Sequence, residues 1–218
     1  MWQEIDTGSA GIERPLDILA IAAHPDDVEQ TCGGTLIRMS EQGYRTGVLD
    51  LTAGDMGSRG TPELRIAESE AAACAMRLAW RGNLRLPDAR HPDHYRAQEI
   101  GFEACFLSGL RKLDENTEPH RPHKILYSSL YANVTPSFVV DISAQFERRM
   151  SALFSYESQY GKSEEASELF PDQAEIRERL GSIARFYGNL IGVKYGEPFV
   201  VKETMRVDDI TAMGVRSL

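Results

Sequence analysis

Two short segments of the chain concentrate side chains that bind metals. Residues 23–27 read Ala-His-Pro-Asp-Asp and residues 90–94 read Arg-His-Pro-Asp-His, so three of the five histidines lie within them. Imidazole and carboxylate together suit Zn²⁺, and a catalytic zinc keeps three protein ligands and leaves one position for water. Such a water is acidified to a pKa of about 7, and a carboxylate that is not a ligand can accept its proton. The two segments therefore predict a hydrolytic zinc site.

The Asp26-Asp27 pair also has a purely structural interpretation. It directly follows a predicted strand, where an aspartate can cap the next helix, and Asp27 is well placed to do so. The second histidine-rich segment favours the metal interpretation, because two helix caps have no reason to be rich in histidine. Adjacent side chains on a tight turn point in different directions, so one carboxylate can bind metal while the other faces the substrate.

The elements around these segments alternate between strand and helix. The first half is predicted to contain strands at 16–23, 45–51 and 83–86, helices at 28–42 and from 61 onward, and a glycine-rich loop at 52–60. The first strand is a short apolar run, typical of a strand covered on both faces. Thr61 and Pro62 form a typical helix start. In open sheets of this kind, ligands bind beyond the carboxyl ends of the strands, where residues 24–27 lie.

The second half continues the mixture of helices and strands. Helices are predicted at 94–113, 143–160 and 172–191, and strands at 124–131, 138–142 and 199–202. Asp172 and Glu175 stand at the spacing of a capping box. No linker divides the chain, so we predict one domain over residues 1–218. Its predicted class is α/β, Rossmann-like, with a mostly parallel sheet and helices on both faces.

Composition places the chain among ordinary globular proteins, with 42% hydrophobic and 26% charged residues. The net charge of −9 argues against a nucleic-acid partner, which requires a basic surface. Three cysteines without CxxC spacing indicate reduced thiols. The polar residues 1–15 lack a signal-peptide core, and the longest apolar stretch is too short to span a membrane. We therefore expect a cytoplasmic protein with neither a nucleic-acid nor a membrane partner.

Several motifs together resemble the LmbE-like, or PIG-L, deacetylases. They are the two histidine segments, the Gly33-Gly34-Thr35 turn, and stretches at 49–52, 59–65, 84–88, 138–142 and 192–199. The resemblance covers nearly the whole chain and is strongest to the bacillithiol-biosynthesis enzymes that deacetylate N-acetylglucosaminyl malate. It implies a zinc-dependent enzyme that hydrolyses the acetamide of an N-acetylglucosaminyl conjugate to acetate and a free amine. It also implies a homo-oligomer.

The resemblance assigns catalytic roles by position. His24, Asp27 and His94 match the metal ligands of the family, and Asp26 matches its general base. His91 matches the histidine that stabilises the oxyanion or protonates the leaving amine. These assignments imply that zinc activates water and polarises the acetyl carbonyl while Asp26 accepts the water's proton.

Three further residues receive supporting roles from the resemblance. Asp93 would orient an imidazole. Arg65 and Tyr195 match substrate-binding positions, and the guanidinium of Arg65 suits an acidic aglycone such as malate. The structural alternatives are a solvated helix position for Arg65 and simple packing for Tyr195, which stands beside Gly196.

The chain departs from the family in one place. Family members carry a further helix and strand before the second histidine segment, whereas here Ala89 alone separates the flanking motifs. The four residues 87–90 reach at most about 13–14 Å. We therefore expect a break or a missing stretch between Asp88 and His91, with His94 still beside His24 and Asp27.

Two alternative functions remain open at this point. One is the same chemistry on another N-acetylglucosaminyl or thiol conjugate. The other is a non-catalytic sugar-binding module that has kept the fold and lost activity through the missing segment.

Overall fold

A parallel three-stranded sheet forms the first half of the structure, a computed structural model that describes residues 14–88, 93–113, 116–129, 133–161 and 171–215. Its strands are β1 (Ile18–Ala22), β2 (Thr46–Thr52) and β3 (Trp80–Leu86), in the order β1-β2-β3. The three strands fall where the apolar runs predicted them, although β3 begins three residues earlier.

Four helices accompany this sheet: α1 (Asp27–Thr31), α2 (Gly33–Glu41), α3 (Pro62–Met76) and α4 (Asp93–Leu107). Among the described residues, no helix or strand lies between β3 and α4. The helix predicted at 28–42 is divided at Cys32, whose φ of −136° is not helical. Thr61 caps α3 as predicted, because its hydroxyl accepts a hydrogen bond from the Leu64 amide at 3.2 Å.

Helices cover both faces of the parallel sheet. On one face Ile21 and Leu49 pack in the cluster that contains Ala97 of α4. On the other face Val48 packs with Leu36 of α2. Successive residues of a strand point to opposite faces, which explains this division. The predicted α/β class, with helices on both faces of a parallel sheet, is confirmed.

The second half adds an antiparallel pair of strands and three helices. The strands are β4 (Phe138–Asp141) and β5 (Gly196–Phe199), and the helices are α5 (Phe146–Leu153), α6 (Glu157–Tyr160) and α7 (Gln173–Leu190). A short 3₁₀ helix, Ile210–Ala212, follows them. Asp172 caps α7 as its spacing predicted, accepting a hydrogen bond from the Glu175 amide at 2.8 Å.

Four predictions in this half were inaccurate. The helix predicted at 94–113 ends at Leu107, as α4. The helix at 143–160 is interrupted between α5 and α6. In the described part of the stretch 124–131, the only strand-like pairing is a single bridge between Tyr127 and Val200. The last strand lies at 196–199, not 199–202, because all four residues of β5 are buried against neighbouring elements.

The largest hydrophobic cluster holds α7 in place. Ile176 and Leu180 of α7 pack there with Phe146 and Met150 of α5 and with Ile142. This packing fixes which face of α7 points away from the core. No helix in the described part of the chain is both long and apolar enough to cross a membrane.

Candidate active site

The carboxyl end of β1 brings the first histidine segment to a cleft. His24, Asp26 and Asp27 lie on the turn that joins β1 to α1. They line a cleft of about 450 Å³, a volume typical of small-molecule sites. The start of α4 contributes His94 to the same wall, while α3, α6 and α7 supply the other sides. This is the edge of the sheet at which ligands bind in open α/β folds.

The three predicted metal ligands converge in the cleft. Nε2 of His94 lies 3.2 Å from the Asp27 carboxylate, and Nδ1 of His24 lies 3.5 Å from Asp27 Oδ2. One donor atom from each residue falls within 4.8 Å of the other two. The ligands of a tetrahedral zinc with bonds of about 2.0–2.1 Å are themselves separated by roughly 3.3 Å. The donor set and its spacing therefore fit Zn²⁺.

Two carboxylates face the other nitrogen of His24. Nε2 of His24 lies 3.2 Å from Asp88 Oδ1 and 3.4 Å from Asp93 Oδ2. Carboxylates in this position orient a metal-binding imidazole and fix its tautomer. Burial alone lowers the pKa of His24, but hydrogen bonds and charges from Asp27 and Asp88 raise that pKa to about 9. Because Nε2 faces these two carboxylates, Nδ1 of His24 points towards Asp27 and the donor set.

The side chain of Asp26 is held from two directions. The Tyr160 hydroxyl donates to Asp26 Oδ2 at 2.6 Å, and Nη2 of Arg65 lies 3.4 Å from Oδ1. The backbone of Asp26 is left-handed, with a φ of 98°. Asp26 occupies the N-cap position of α1 without a side-chain capping bond, and Asp27 is already the first helical residue. The helix-cap interpretation of the pair is therefore wrong.

The two neighbouring aspartates have opposite electrostatic environments. Burial, followed by the negative charge of Asp27, raises the pKa of Asp26 to about 7. For Asp27 the hydrogen bonds from His24 and His94 outweigh burial and hold the pKa well below its ordinary value. Adjacent groups whose pKa values are pushed apart in this way are typical of sites with divided acid–base roles.

Arg65 is buried against the turn that carries Asp26. Its Nη2 donates to the Pro25 carbonyl at 2.7 Å, in addition to its contact with Asp26. Gly54 makes room for it: a Cβ at that position would lie 1.9 Å from Arg65 Nη1, and the φ of Gly54 is +69°. Arg65 thus lines the cleft while its guanidinium contacts the candidate base.

The comparisons with known proteins agree with this geometry. The family model of the GlcNAc-PI de-N-acetylases, PIG-L, matches residues 19–140. This chain belongs to the PIG-L family. The family resemblance noted from the motifs is therefore confirmed, and at the level of its family the chain is a deacetylase of N-acetylglucosamine-type substrates.

Three relatives show how far the similarity extends. A diacetylchitobiose deacetylase of Thermococcus kodakarensis is 27% identical over 83% of this chain and 80% of its own length. The solved structure of a conserved protein from Thermus thermophilus is 34% identical, with a TM-score of 0.77 over 89% of this chain and 98% of that one. The N,N'-diacetylchitobiose deacetylase from Pyrococcus horikoshii, solved with an inhibitor, is 23% identical with a TM-score of 0.71, covering 87% and 88% of the two chains.

Of the remaining residues with roles expected from the PIG-L family, Tyr195 does not line the cleft and His91 is not among the described residues. The ring of Tyr195 stacks on Phe146 at a centroid distance of 4.0 Å within the largest hydrophobic cluster. Its backbone hydrogen-bonds to the amide of Ile142 and the hydroxyl of Ser143, and the ring lies in the core behind Ile176 and Leu180, two residues that line the cleft. His91 lies outside the described residues, and so does the expected break between Asp88 and His91.

Two other residues of the site carry no role in the sequence-based prediction. Asp88 belongs to the Leu-Pro-Asp segment that contributes to the PIG-L resemblance, so its motif was a usable signal. Tyr160 contacts Asp26 from 134 residues away, and no local pattern marks it.

Proposed function

We propose that this PIG-L deacetylase uses Zn²⁺ to hydrolyse the acetamide of an N-acetylglucosaminyl conjugate, releasing acetate and the free amine. The observation that carries the proposal is the donor set of His24, Asp27 and His94 immediately beside Asp26, a buried carboxyl that is not part of that set. N-acetylglucosaminyl malate is the substrate that we favour, from the resemblance to the bacillithiol-biosynthesis enzymes.

The chain's own residues divide the work of the reaction. His24, Asp27 and His94 would hold the ion, and bound Zn²⁺ supplies an acidified water and polarises an amide carbonyl. Asp26 would accept a proton from the attacking water molecule while the oxygen of that water forms a bond to the acetyl carbon. The pKa of Asp26, near 7, suits a group that both accepts and returns a proton at neutral pH. The C–N bond then breaks, and the amine leaves with a proton that Asp26 or His91 delivers.

Tyr160 and Arg65 keep the base in position for this transfer. Each contacts a different oxygen of Asp26, so the carboxyl group has little freedom to rotate. General bases act within hydrogen-bond reach of the proton that they remove, and an aligned carboxylate is more effective than a mobile one.

Two alternatives to this substrate and function have specific consequences. Diacetylchitobiose, named for the Thermococcus relative, is a neutral conjugate of the same class. A non-catalytic sugar-binding module would need the cleft but not the divided electrostatics of Asp26 and Asp27, which favour catalysis. We also propose, from the resemblance, a homo-oligomer, which light scattering of the purified protein would test.

Acetate release is the decisive measurement. The protein is first treated with a chelator, then assayed with and without added zinc on N-acetylglucosaminyl malate, diacetylchitobiose and methyl N-acetylglucosaminide. We expect zinc-dependent release from at least one conjugate and none from the Asp26→Asn variant above background. Stoichiometric zinc binding without release from any conjugate would support the binding module instead.

A further inference from the structure

We infer that Arg179 of α7 binds an acidic group on the aglycone of the substrate. The inference rests on the proposed deacetylase function and narrows its substrate class to conjugates that carry a carboxylate or a phosphate. It assigns a specificity-determining residue that is separate from the metal ligands and from the candidate base.

Arg179 lies where the cleft meets a second cavity. That cavity measures about 60 Å³ and shares Gln30, Arg179, Leu180 and Ile183 with the cleft. None of the three metal-ligand candidates lines it. With the acetamide at the donor set, a conjugate that lies along the wall shared by the two cavities would reach these residues.

The position of Arg179 on α7 directs its side chain along the cleft. Ile176 and Ile183 stand three residues before it and four after it, so the three share one helix face. All three line the cleft. Packing of Ile176 and Leu180 in the core prevents α7 from rotating. Arg179 itself is exposed, so a ligand that enters the cleft can reach its guanidinium.

Arg179 is also available for a ligand. Arg65 is ion-paired with Asp26, and Arg149 donates to the carbonyl of Glu29 at 2.9 Å. In contrast, Arg179 forms no hydrogen bond or ion pair with any residue that the structure describes. It is therefore the one uncommitted arginine among the described residues that line either cavity.

An acidic substrate would need a cation to bind in this cleft. The carboxylates at its catalytic end, and a net charge of −9 on the whole chain, would repel an acidic substrate. A guanidinium offers a planar fork of donors that matches a carboxylate or a phosphate in two parallel hydrogen bonds. A neutral sugar hydroxyl gains much less from the same group.

Kinetics on matched substrates test the inference. N-acetylglucosaminyl malate supplies carboxylates, N-acetylglucosamine 1-phosphate supplies a phosphate, and methyl N-acetylglucosaminide is neutral. In Arg179→Gln we expect KM for the preferred acidic conjugate to rise about tenfold, with kcat within about twofold and the neutral substrate unaffected. Arg185→Gln is the matched control, because Arg185 is exposed on the same helix and does not line the cleft.

The outcomes separate this inference from the proposed function. Loss of acid preference in Arg179→Gln supports it, and the ratio of the two acidic substrates identifies the group recognised. Unchanged KM for both acids, or an equal change in Arg185→Gln, overturns it. If no conjugate releases acetate, the proposed function fails, but calorimetry with glucosaminyl malate still tests the role of Arg179. Equal affinity of the wild type and Arg179→Gln for this compound overturns the inference. A roughly tenfold loss of affinity in Arg179→Gln supports it.

Discussion

Asp26 and Asp27 are adjacent in sequence but contact different partners, so substitutions should separate their roles. Asp26→Asn removes the proton acceptor and leaves the donor set intact; we expect full zinc content and a loss of about 10²–10⁴-fold in kcat. Asp27→Asn removes the charged ligand and should lower the zinc content. Metal analysis and acetate release on the same preparations measure both effects. Equal loss of zinc in the two variants would show that the carboxylates are wrongly assigned.

Substitution of Arg65 should change the kinetics differently from substitution of Arg179. Because Arg65 contacts Asp26 and the Pro25 carbonyl, Arg65→Ala should lower kcat by roughly tenfold or more on neutral and acidic substrates alike. Steady-state kinetics on methyl N-acetylglucosaminide and N-acetylglucosaminyl malate provide the measurement. An increase in KM confined to the acidic substrate would instead support the substrate-binding role that the resemblance implies for Arg65.

Among the individual residues of the site, some could be predicted from residue type. Histidine and aspartate clustered in two short segments, so His24, Asp27 and His94 could be chosen by chemistry and resemblance. The contacts of Tyr160 depend on where α6 packs relative to α1, and no local spacing contains that information. The resemblance assigned Tyr195 to substrate binding, but the position of its ring in the hydrophobic core could not be predicted locally. That position depends on hydrogen bonds to residues about 50 positions earlier.

Among the elements, α1 is attached to the sheet through a buried ionic network. Nη1 of Arg81, on β3, lies 2.5 Å from Glu29 of α1. The same guanidinium makes two hydrogen bonds, of 2.9 and 3.1 Å, to Asp50 on β2. The Tyr156 hydroxyl donates to the same oxygen of Glu29. Because Asp27 begins α1, this network helps to position a candidate metal ligand.

A second network holds the start of α2. Glu197 of β5 accepts hydrogen bonds from the amides of Gly34 and Thr35, at 2.9 and 2.6 Å. A carboxylate there also interacts favourably with the positive end of the helix dipole. Arg149 of α5 lies 3.4 Å from Glu197 and donates to the carbonyls of Glu29 and Gln30. The two networks together connect α1 and α2 to both sheets.

Removing Arg81 should destabilise the protein strongly. Arg81→Met leaves Glu29 and Asp50 buried without their cation, and we expect a loss of about 3–5 kcal/mol in the free energy of unfolding. Urea denaturation followed by circular dichroism measures it. Arg85→Met, an exposed change on the same strand, is the control and should stay within about 0.5 kcal/mol. Similar values for the two variants would contradict a structural role for the network.

Element boundaries were predictable where local chemistry decides them. The Thr61-Pro62 start of α3 and the Asp172 cap of α7 follow from side-chain hydrogen bonds within three residues. The division at Cys32 does not, because the new helix start there is stabilised by Glu197, more than 160 residues away. In the described part of the strand expected at 124–131, the only pairing is the single bridge from Tyr127 to Val200, so a ladder does not extend there.

For the whole molecule, a bound metal would connect segments that are distant in sequence. His24 and Asp27 follow β1, whereas His94 lies in α4. Zinc should therefore raise Tm, because a ligand that binds only the folded state stabilises it. Replacing any one ligand should remove most of this increment.

The zinc-dependent gain in Tm should increase with pH. Interactions with Asp27 raise the pKa of His94, and those with Asp27 and Asp88 raise the pKa of His24 from 6.5 to about 9 despite burial. Their stabilising effect on the metal-free protein is complete below pH 6.5 and is lost as pH rises through about 9. Zinc must displace these protons, so its affinity rises up to about tenfold per pH unit for each proton released. Thermal melts from about pH 6 to pH 8 should show the gain growing, and Asp27→Asn should lose most of the gain at each pH.

The overall class could be predicted because alternating strands and helices leave few topologies for a chain of this length. The burial of charged residues in the interior could not be predicted from the sequence. Glu29, Asp50, Arg81, Arg149 and Glu197 are all buried or nearly so, although their residue types are usually found at the surface. Each is tolerated only because a partner from a distant segment satisfies it.

The left-handed backbone at Asp26 also limits which mutations natural selection can retain there. Aspartate and asparagine adopt a φ of 98° far more readily than β-branched residues do. A library of all twenty residues at position 26 can be scored separately for protein abundance in cells and for acetate release. The Asp26→Asn variant should remain abundant but inactive, because asparagine keeps the backbone conformation and accepts the Tyr160 hydrogen bond. The Asp26→Val and Asp26→Ile variants should lose both abundance and activity. If Asp26 is the base, a gene for this deacetylase stands one substitution away from encoding a stable protein that keeps the candidate metal ligands and lacks hydrolytic activity.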